Sequence, residues 1–325
     1  MARPLASLAA LTSLTALLAS CSLLRPLDGL TCEPDSTDAL CLSTGAGGHS
    51  GTSGQSGTSG QGGAGGAGGK CVPGAADGSC HYGEKCVANA DCATASCSDK
   101  KCQCPTAMVL IDSSFCIDTI EVTNAAYSSF IATNPDPALQ DDVCAWNKHF
   151  HFDDDPSGPP VCQTRDKVPD HPASCINWCQ ARGYCKSLGK RLCGKMHGGQ
   201  NPDELYKDPT QSEWFDACSN GGERLFPTGD TFDSLACNDN GKGPKAAGGP
   251  GQELCEAAAQ GLQHMSGNVR EWEDSCSAEV GAADTCLTRG GSFDSGEVQN
   301  LQCDAHEPAA RDDTDWTIGF RCCSG

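Results

Sequence analysis

Cysteine constrains this chain more than any other feature. Of its 325 residues, 25 are cysteine, and no two are spaced C-x-x-C. That spacing serves zinc ribbons and thioredoxin-like redox motifs, so its absence argues against both. The cysteines are instead expected to pair as a disulfide framework, which belongs in an oxidising compartment.

The first residues agree with export. Met1-Ala-Arg3 is a short, weakly positive start, and Leu5 to Leu18 is an apolar run too short for a comfortable membrane span. Residues 1–20 read as a signal peptide. The run ends in Leu18-Ala19-Ser20-Cys21, which resembles a bacterial lipobox. There the small residues suit a signal peptidase, and the Cys21 thiol takes a diacylglycerol that anchors the chain in lipid. Ser22 follows where a retention signal has Asp, which favours the outer membrane. Setting Cys21 aside from the 25 leaves 24, an even number. Each bond among these stabilises by roughly 2–4 kcal/mol through a restricted unfolded chain.

Residues 21–70 read as a lipid-anchored tether. Leu42 to Gly69 is Gly/Ser-rich, with the repeat GTSGQ-SGTSGQ, and cannot bury enough apolar surface to order itself. Its root-mean-square reach is about 30 Å. Gly63 to Gly68 matches G-x-G-x-x-G, but no strand precedes it and no helix follows, so it is set aside. Residues 71–104 carry seven cysteines and few large apolar residues. Such a segment has no room for a core, so disulfides must hold it, as a stapled spacer. Seven is odd, so at least one of these cysteines pairs outside the segment or is free.

Residues 105–325 hold all five tryptophans and form the only part able to build a sizeable core. Two short strands and then a helix from near Thr123 are expected in "MVLIDSSFCIDTIEVTNAAYSSFI". A second helix is expected in "CINWCQARGYCKSLG", ending at Gly189. Thr210-Gln-Ser-Glu213 has the form of a capping box opening a third, which would stop at Gly221. After Cys237 the only expected helical turn is short, Glu253 to Gln260. The fold class is α+β with low regular secondary structure, rich in disulfides. The formal charge of −20 and pI near 4.6 disfavour nucleic acid and anionic membranes as partners, since phosphate binding needs an excess of Lys and Arg.

Short motifs then accumulate in order: Phe115-Cys-Ile-Asp118 with Glu121-Val-Thr-Asn124; Ile176-Asn-Trp178; Tyr184-Cys185; Gly189-Lys-Arg-Leu192; Ser212-Glu-Trp214; Met265-Ser-Gly-Asn-Val269 with Glu271-Trp272; Arg289-Gly-Gly-Ser-Phe293; Ile318-Gly-Phe-Arg321. This series resembles the formylglycine-generating enzyme, or sulfatase-modifying factor, family across residues 105–325. The resemblance implies a C-type-lectin-like fold. The best-known members of that family oxidise a protein cysteine to formylglycine, with copper held by two cysteines just after Gly-Gly-Ser-aromatic. Two soft thiolates suit Cu(I), which can then activate oxygen. Counting forward from Gly290, those positions fall on Ser295 and Asn300; counting back from Cys303 gives Phe293 and Val298. Either count lacks a thiol, so no catalytic residue and no copper site carry over.

The resemblance also implies the disulfides Cys185–Cys322 and Cys218–Cys303. Cys276 and Cys286 are expected to close a local loop, and the adjacent Cys322 and Cys323 are not expected to bond each other. Some family members hold calcium. One site maps to Asn238 and Asp239 and lacks its downstream Asp. The other maps to His264, Gly267, Val269 and Glu271 and is a candidate calcium site: an imidazole replaces one oxygen ligand, against calcium's preference, but Glu271 and two carbonyls remain. His149-Phe-His151, near Asp153-Asp-Asp155, would place two imidazoles on one strand face, but spacing fixes no third ligand. No G-x-S-x-G elbow occurs.

These readings point to an exported binding or structural module. Its contact surface would be Arg289, Gly290, Gly291, Ser292, Phe293, Asp294, Ser295 and Asn300. Its partner would be an envelope protein, a peptide or a glycan, and it would meet the membrane only through lipidated Cys21. The alternative is a formylglycine-generating-type oxidoreductase using another metal, such as iron held by histidines, or another site.

Overall fold

A computed structural model of the protein describes residues 85–87, 92, 97–112, 114–153, 160–163, 167–248 and 255–325. All lie in the second of two compact units, residues 65–325. The lipobox with Cys21, the tether, most of the seven-cysteine segment, Asp154, Asp155 and Glu253 lie outside the described residues.

β1 (Cys97–Ser98) and β2 (Lys101–Cys102) form a hairpin. Asp99 and Lys100 between them both have positive φ, the twist a two-residue turn needs. Cys86–Cys97 and Cys92–Cys102 staple this hairpin, and Cys104–Cys116 ties its exit to the main body.

β3 (Met108–Ile111) and β4 (Phe115–Asp118) follow. α1 (Asn124–Ala132) starts where the Thr123 hydroxyl accepts from the Ala126 N–H at 3.2 Å. After the short α2 (Pro160–Gln163) comes α3 (Trp178–Ser187), opened by a reciprocal cap. The Gln180 N–H donates to the Asn177 side chain at 2.9 Å, and the Asn177 N–H to the Gln180 side chain at 2.8 Å. β5 is Arg191–Leu192 and α4 is Glu213–Ser219.

α4 begins two residues later than its sequence suggests. Ser212, not Thr210, is the cap, accepting from the Phe215 N–H at 3.2 Å. Glu213 cannot reach back, because both its carboxylate oxygens accept from Arg191, at 2.5 and 2.6 Å. The helix stops at Asn220 in the left-handed conformation, one residue before Gly221. Residues 255–260 hold no α-helix; Glu256 makes a bridge to Gln263 instead.

β6 (Arg270–Cys276), β7 (Thr285–Arg289), β8 (His306–Ala310), β9 (Ile318–Gly319) and β10 (Cys322–Ser324) complete the chain. They make two four-stranded sheets, ordered β3-β4-β10-β5 and β8-β7-β6-β9. Every pairing in them is antiparallel except β6 with β9. Two apolar clusters fill the body. Tyr127, Phe130, Trp178, Tyr184, Trp272 and Phe320 belong to one, and Phe115, Ile117, Trp214, Leu262 and Met265 to the other.

Ten disulfides join all twenty cysteines of the described residues. Cys185 bonds Cys322, Cys218 bonds Cys303, and Cys276 bonds Cys286 across β6 and β7. Cys323 bonds Cys193. Successive strand residues face opposite ways, so Cys322 and Cys323 enter different clusters and meet different partners. Among the described residues no helix is long and apolar enough to cross a membrane.

Candidate functional site

A roomy cleft opens beside the end of β7. It encloses about 740 Å³ and is walled by the loop after β7, the start of β8, the approach to β9, and Tyr206 and Arg270. Its shape starts with Gly290 and Gly291, whose φ values are +80° and +65°. A Cβ on Gly290 would lie 2.5 Å from the Met265 carbonyl, and one on Gly291 2.3 Å from that of Asn300. Only glycine can make both turns this close to other backbone.

The chain then folds back on itself. The Ser292 N–H donates to the Ser295 hydroxyl at 2.7 Å, and the Asp294 N–H to the Ser292 hydroxyl at 3.2 Å. Asn300 donates its amide N–H to the Ser295 carbonyl at 3.1 Å. Phe293 is fully buried, with Trp316 edge-on at 4.9 Å between centroids. Gly291, Ser292, Asp294, Ser295 and Asn300 therefore line the cleft. Arg289, Gly290 and Phe293 do not belong to a contact surface, because all three are buried beneath it.

Arg289 is scaffolding, and so is most of the charge in the recurring motifs. β6 places Glu271 and Glu273 two residues apart, and each meets an arginine. Glu273 accepts from Arg289 at 2.7 Å, and Glu271 from Arg321 at 2.7 Å through each of its oxygens. Trp214 sits between the two pairs: it donates to Glu271 at 2.9 Å, and the Arg289 guanidinium lies 4.8 Å from its ring centre. Arg289 also donates to the carbonyls of Tyr206, Cys303 and Ala305. Two of those residues, Tyr206 and Ala305, line the cleft. The wall is thus hung on a buried ion pair.

The copper positions do not fit copper. Ser295 and Asn300 offer a hydroxyl and an amide already used within the loop, and neither is a soft ligand. The calcium positions do not fit calcium either. The Glu271 carboxylate is taken by Arg321 and Trp214. His264 is buried with no hydrogen-bond partner on either nitrogen, and burial lowers its pKa to about 4. Gly267 and Val269 flank Asn268, whose side chain holds Glu121 at 2.8 Å and accepts from Asn238 at 3.0 Å. Asn238 is thereby engaged inside the fold. His149 and His151 lie on an exposed loop rather than a strand, their rings 6.1 Å apart. Among the described residues, the only three ligand-bearing side chains of His, Cys, Asp or Glu type within 4.8 Å of one another are Cys86, Cys92 and Cys102. All three are in disulfides.

Glu121 is fully buried behind this region, and its second oxygen has no partner. Burial pushes its pKa up to about 8, against the pull of Arg321 and with the help of Glu271. An acid raised in the folded state gives stability that is complete below its unfolded pKa and is lost as pH rises through the folded one. Stability should therefore fall between about pH 4.5 and pH 8. Glu121→Gln should narrow the gap between pH 5 and pH 8.5 in urea denaturation, and an unchanged gap would show that Glu121 is not its source.

Sequence reading missed Tyr206, Arg270, Asp304, His306, Glu307, Asp315 and Trp316, which complete the cleft. Two of them had a signal: Arg270 lies between Val269 and Glu271 inside one of the motifs, and Trp316 stands two residues before the Ile318-Gly-Phe-Arg321 motif.

The family model of the sulfatase-modifying factor enzyme 1-like domain matches residues 75–324. No curated protein matches the chain. Among solved structures, PvdO from Pseudomonas aeruginosa is 17% identical, with 65% of this chain and 80% of that one covered and a TM-score of 0.42. Treponema denticola variable protein 1 is 16% identical, covering 68% and 92%, at 0.40. CarF is 18% identical, covering 65% and 86%, at 0.40.

Proposed function

Because this chain belongs to the sulfatase-modifying factor enzyme 1-like family, we propose that it keeps the family's scaffold as a binding module and has lost copper-dependent oxidation. The observation that carries this reading is the loop after β7. Ser295 and Asn300 stand where the family's ligand cysteines would, and both are engaged in the loop's own hydrogen bonds. Every cysteine of the described residues is bonded to another, so none of them offers a thiolate. What remains is a roomy polar cleft on a disulfide-stapled body, a shape suited to holding a ligand.

In this reading the protein is exported, is anchored through acylated Cys21 at the outer membrane, and reaches an envelope partner on its Gly/Ser-rich tether. The lipobox-like Leu18-Ala19-Ser20-Cys21 and the paired cysteines support that placement. An oxidase using another metal would need a ligand set that the described residues do not assemble at the cleft.

The test is oxygen uptake by the purified protein with a sulfatase-type cysteine peptide, after loading with Cu(I) or with Fe(II). No uptake above the metal and peptide blanks is expected. Turnover with either metal would overturn the reading.

A further inference from the structure

The cleft supplies the site, and its charges select what can occupy it. Its wall carries four carboxylates, Asp294, Asp304, Glu307 and Asp315, against a single guanidinium, Arg270, and no lysine. Arg270 is already neutralised by an ion pair with Glu307. Asp315 is engaged locally, one carboxylate oxygen accepting from the N–H and hydroxyl of Thr317 at 2.7 and 2.6 Å. Asp294 and Asp304 make no ion pair or side-chain hydrogen bond with any described residue. Two uncompensated carboxylates therefore share one concave wall, inside a chain whose formal charge is −20.

The same wall carries Trp316, half-buried and fixed by its edge-on contact with Phe293. An indole held in place beside carboxylates attracts a cation through its ring face as well as through charge. An anionic ligand would meet repulsion with no available cation to offset it. No three His, Cys, Asp or Glu side chains of the cleft come together as ligands for a bare metal ion among the described residues.

We infer that this cleft takes an organic cation, an ammonium or guanidinium group carried by a free amine or by the side chain of a basic peptide. The inference rests on reading the cleft as a binding site, and it narrows that reading to one ligand chemistry.

The test is calorimetric titration of the full chain at low and high salt. Four probes are used: spermidine, a lysine/arginine peptide, a glutamate peptide of equal length, and a neutral oligosaccharide. The cations should bind and the other two should not. The first two probes separate a free amine from a peptide source. Affinity should fall as salt shortens the Debye length from roughly 30 Å at 0.01 M to 8 Å at 0.15 M. Asp294→Asn and Asp304→Asn should each weaken binding about two- to fivefold, and the double variant about tenfold. Trp316→Phe should weaken it by about two- to threefold, as a poorer cation–π face. Glu279→Gln, an exposed acid outside the cleft, should change nothing.

The inference is overturned if the oligosaccharide or acidic peptide binds as tightly as the cations, if no cation binds, or if the double asparagine variant binds like the unaltered protein. None of those results would restore oxidase activity, which oxygen uptake reads separately. Conversely, uptake with a metal would refute the non-catalytic reading whichever probe binds.

Discussion

Glu273→Leu is expected to destabilise the domain by about 3–5 kcal/mol, because it leaves a buried guanidinium without its carboxylate. Glu273 and Arg289 are both fully enclosed, 2.7 Å apart, where water cannot take over for a missing partner. Glu273 also accepts from the Ser212 hydroxyl at 2.9 Å, so the substitution releases the cap of α4 as well. Replacing both partners with apolar residues often recovers the loss at buried pairs. Here recovery should be incomplete in Arg289→Met/Glu273→Leu. Arg289 also donates to the carbonyls of Tyr206, Cys303 and Ala305; that of Cys303 would be left buried and unpaired, at a cost of about 1–3 kcal/mol, and the other two, only partly buried, would cost less. Urea denaturation of the two single variants and the double measures this. Full recovery in the double would show that the three backbone bonds contribute little. Since Tyr206 and Ala305 line the cleft, any ligand affinity should drop in the same variants.

The pair also shows why the site was harder to read than the fold. Strands and helix starts depend on local chemistry, and Thr123 and the run Phe115-Cys-Ile-Asp118 announce themselves. α4 was displaced by a partner 22 residues away, because Arg191 draws Glu213 from the role its spacing suggests. Arg289 beside Gly-Gly-Ser-Phe looks like a surface group. In sequence, an arginine buried on a tryptophan and an arginine facing solvent are the same letter. The cleft's other wall comes from Tyr206, Arg270 and residues 304–307 and 315–317, whose proximity depends on the packing of β6, β7 and β8. The pairings Cys185–Cys322 and Cys218–Cys303 came from family resemblance and not from spacing. Cysteine positions alone leave connectivity open, and nothing in the sequence pointed to Cys193–Cys323 or Cys237–Cys255.

β10 carries the second large effect. Its adjacent cysteines go to opposite clusters, so Cys185–Cys322 and Cys193–Cys323 close nearly concentric loops, with separations of 137 and 130 residues. While either bond stands, the other closes only the stretch between 185 and 193 and the step from 322 to 323. That is a loop of roughly ten residues, worth about 3 kcal/mol of unfolded-chain entropy. Cys185→Ala/Cys322→Ala and Cys193→Ala/Cys323→Ala should therefore each lose about 3 kcal/mol, far less than a loop of that separation suggests. Removing both bonds frees the long loop, which only Cys218–Cys303 still shortens from within. The fourfold variant should lose roughly 6–7 kcal/mol, exceeding the sum of the two pairs by about 1 kcal/mol. The physical meaning of that excess is redundancy: each bond holds β10 between the two clusters when the other is gone, and only the loss of both releases the end of the chain. Urea denaturation under non-reducing conditions reads it directly. Strict additivity would mean that the two bonds restrain the unfolded chain independently, against their nested geometry.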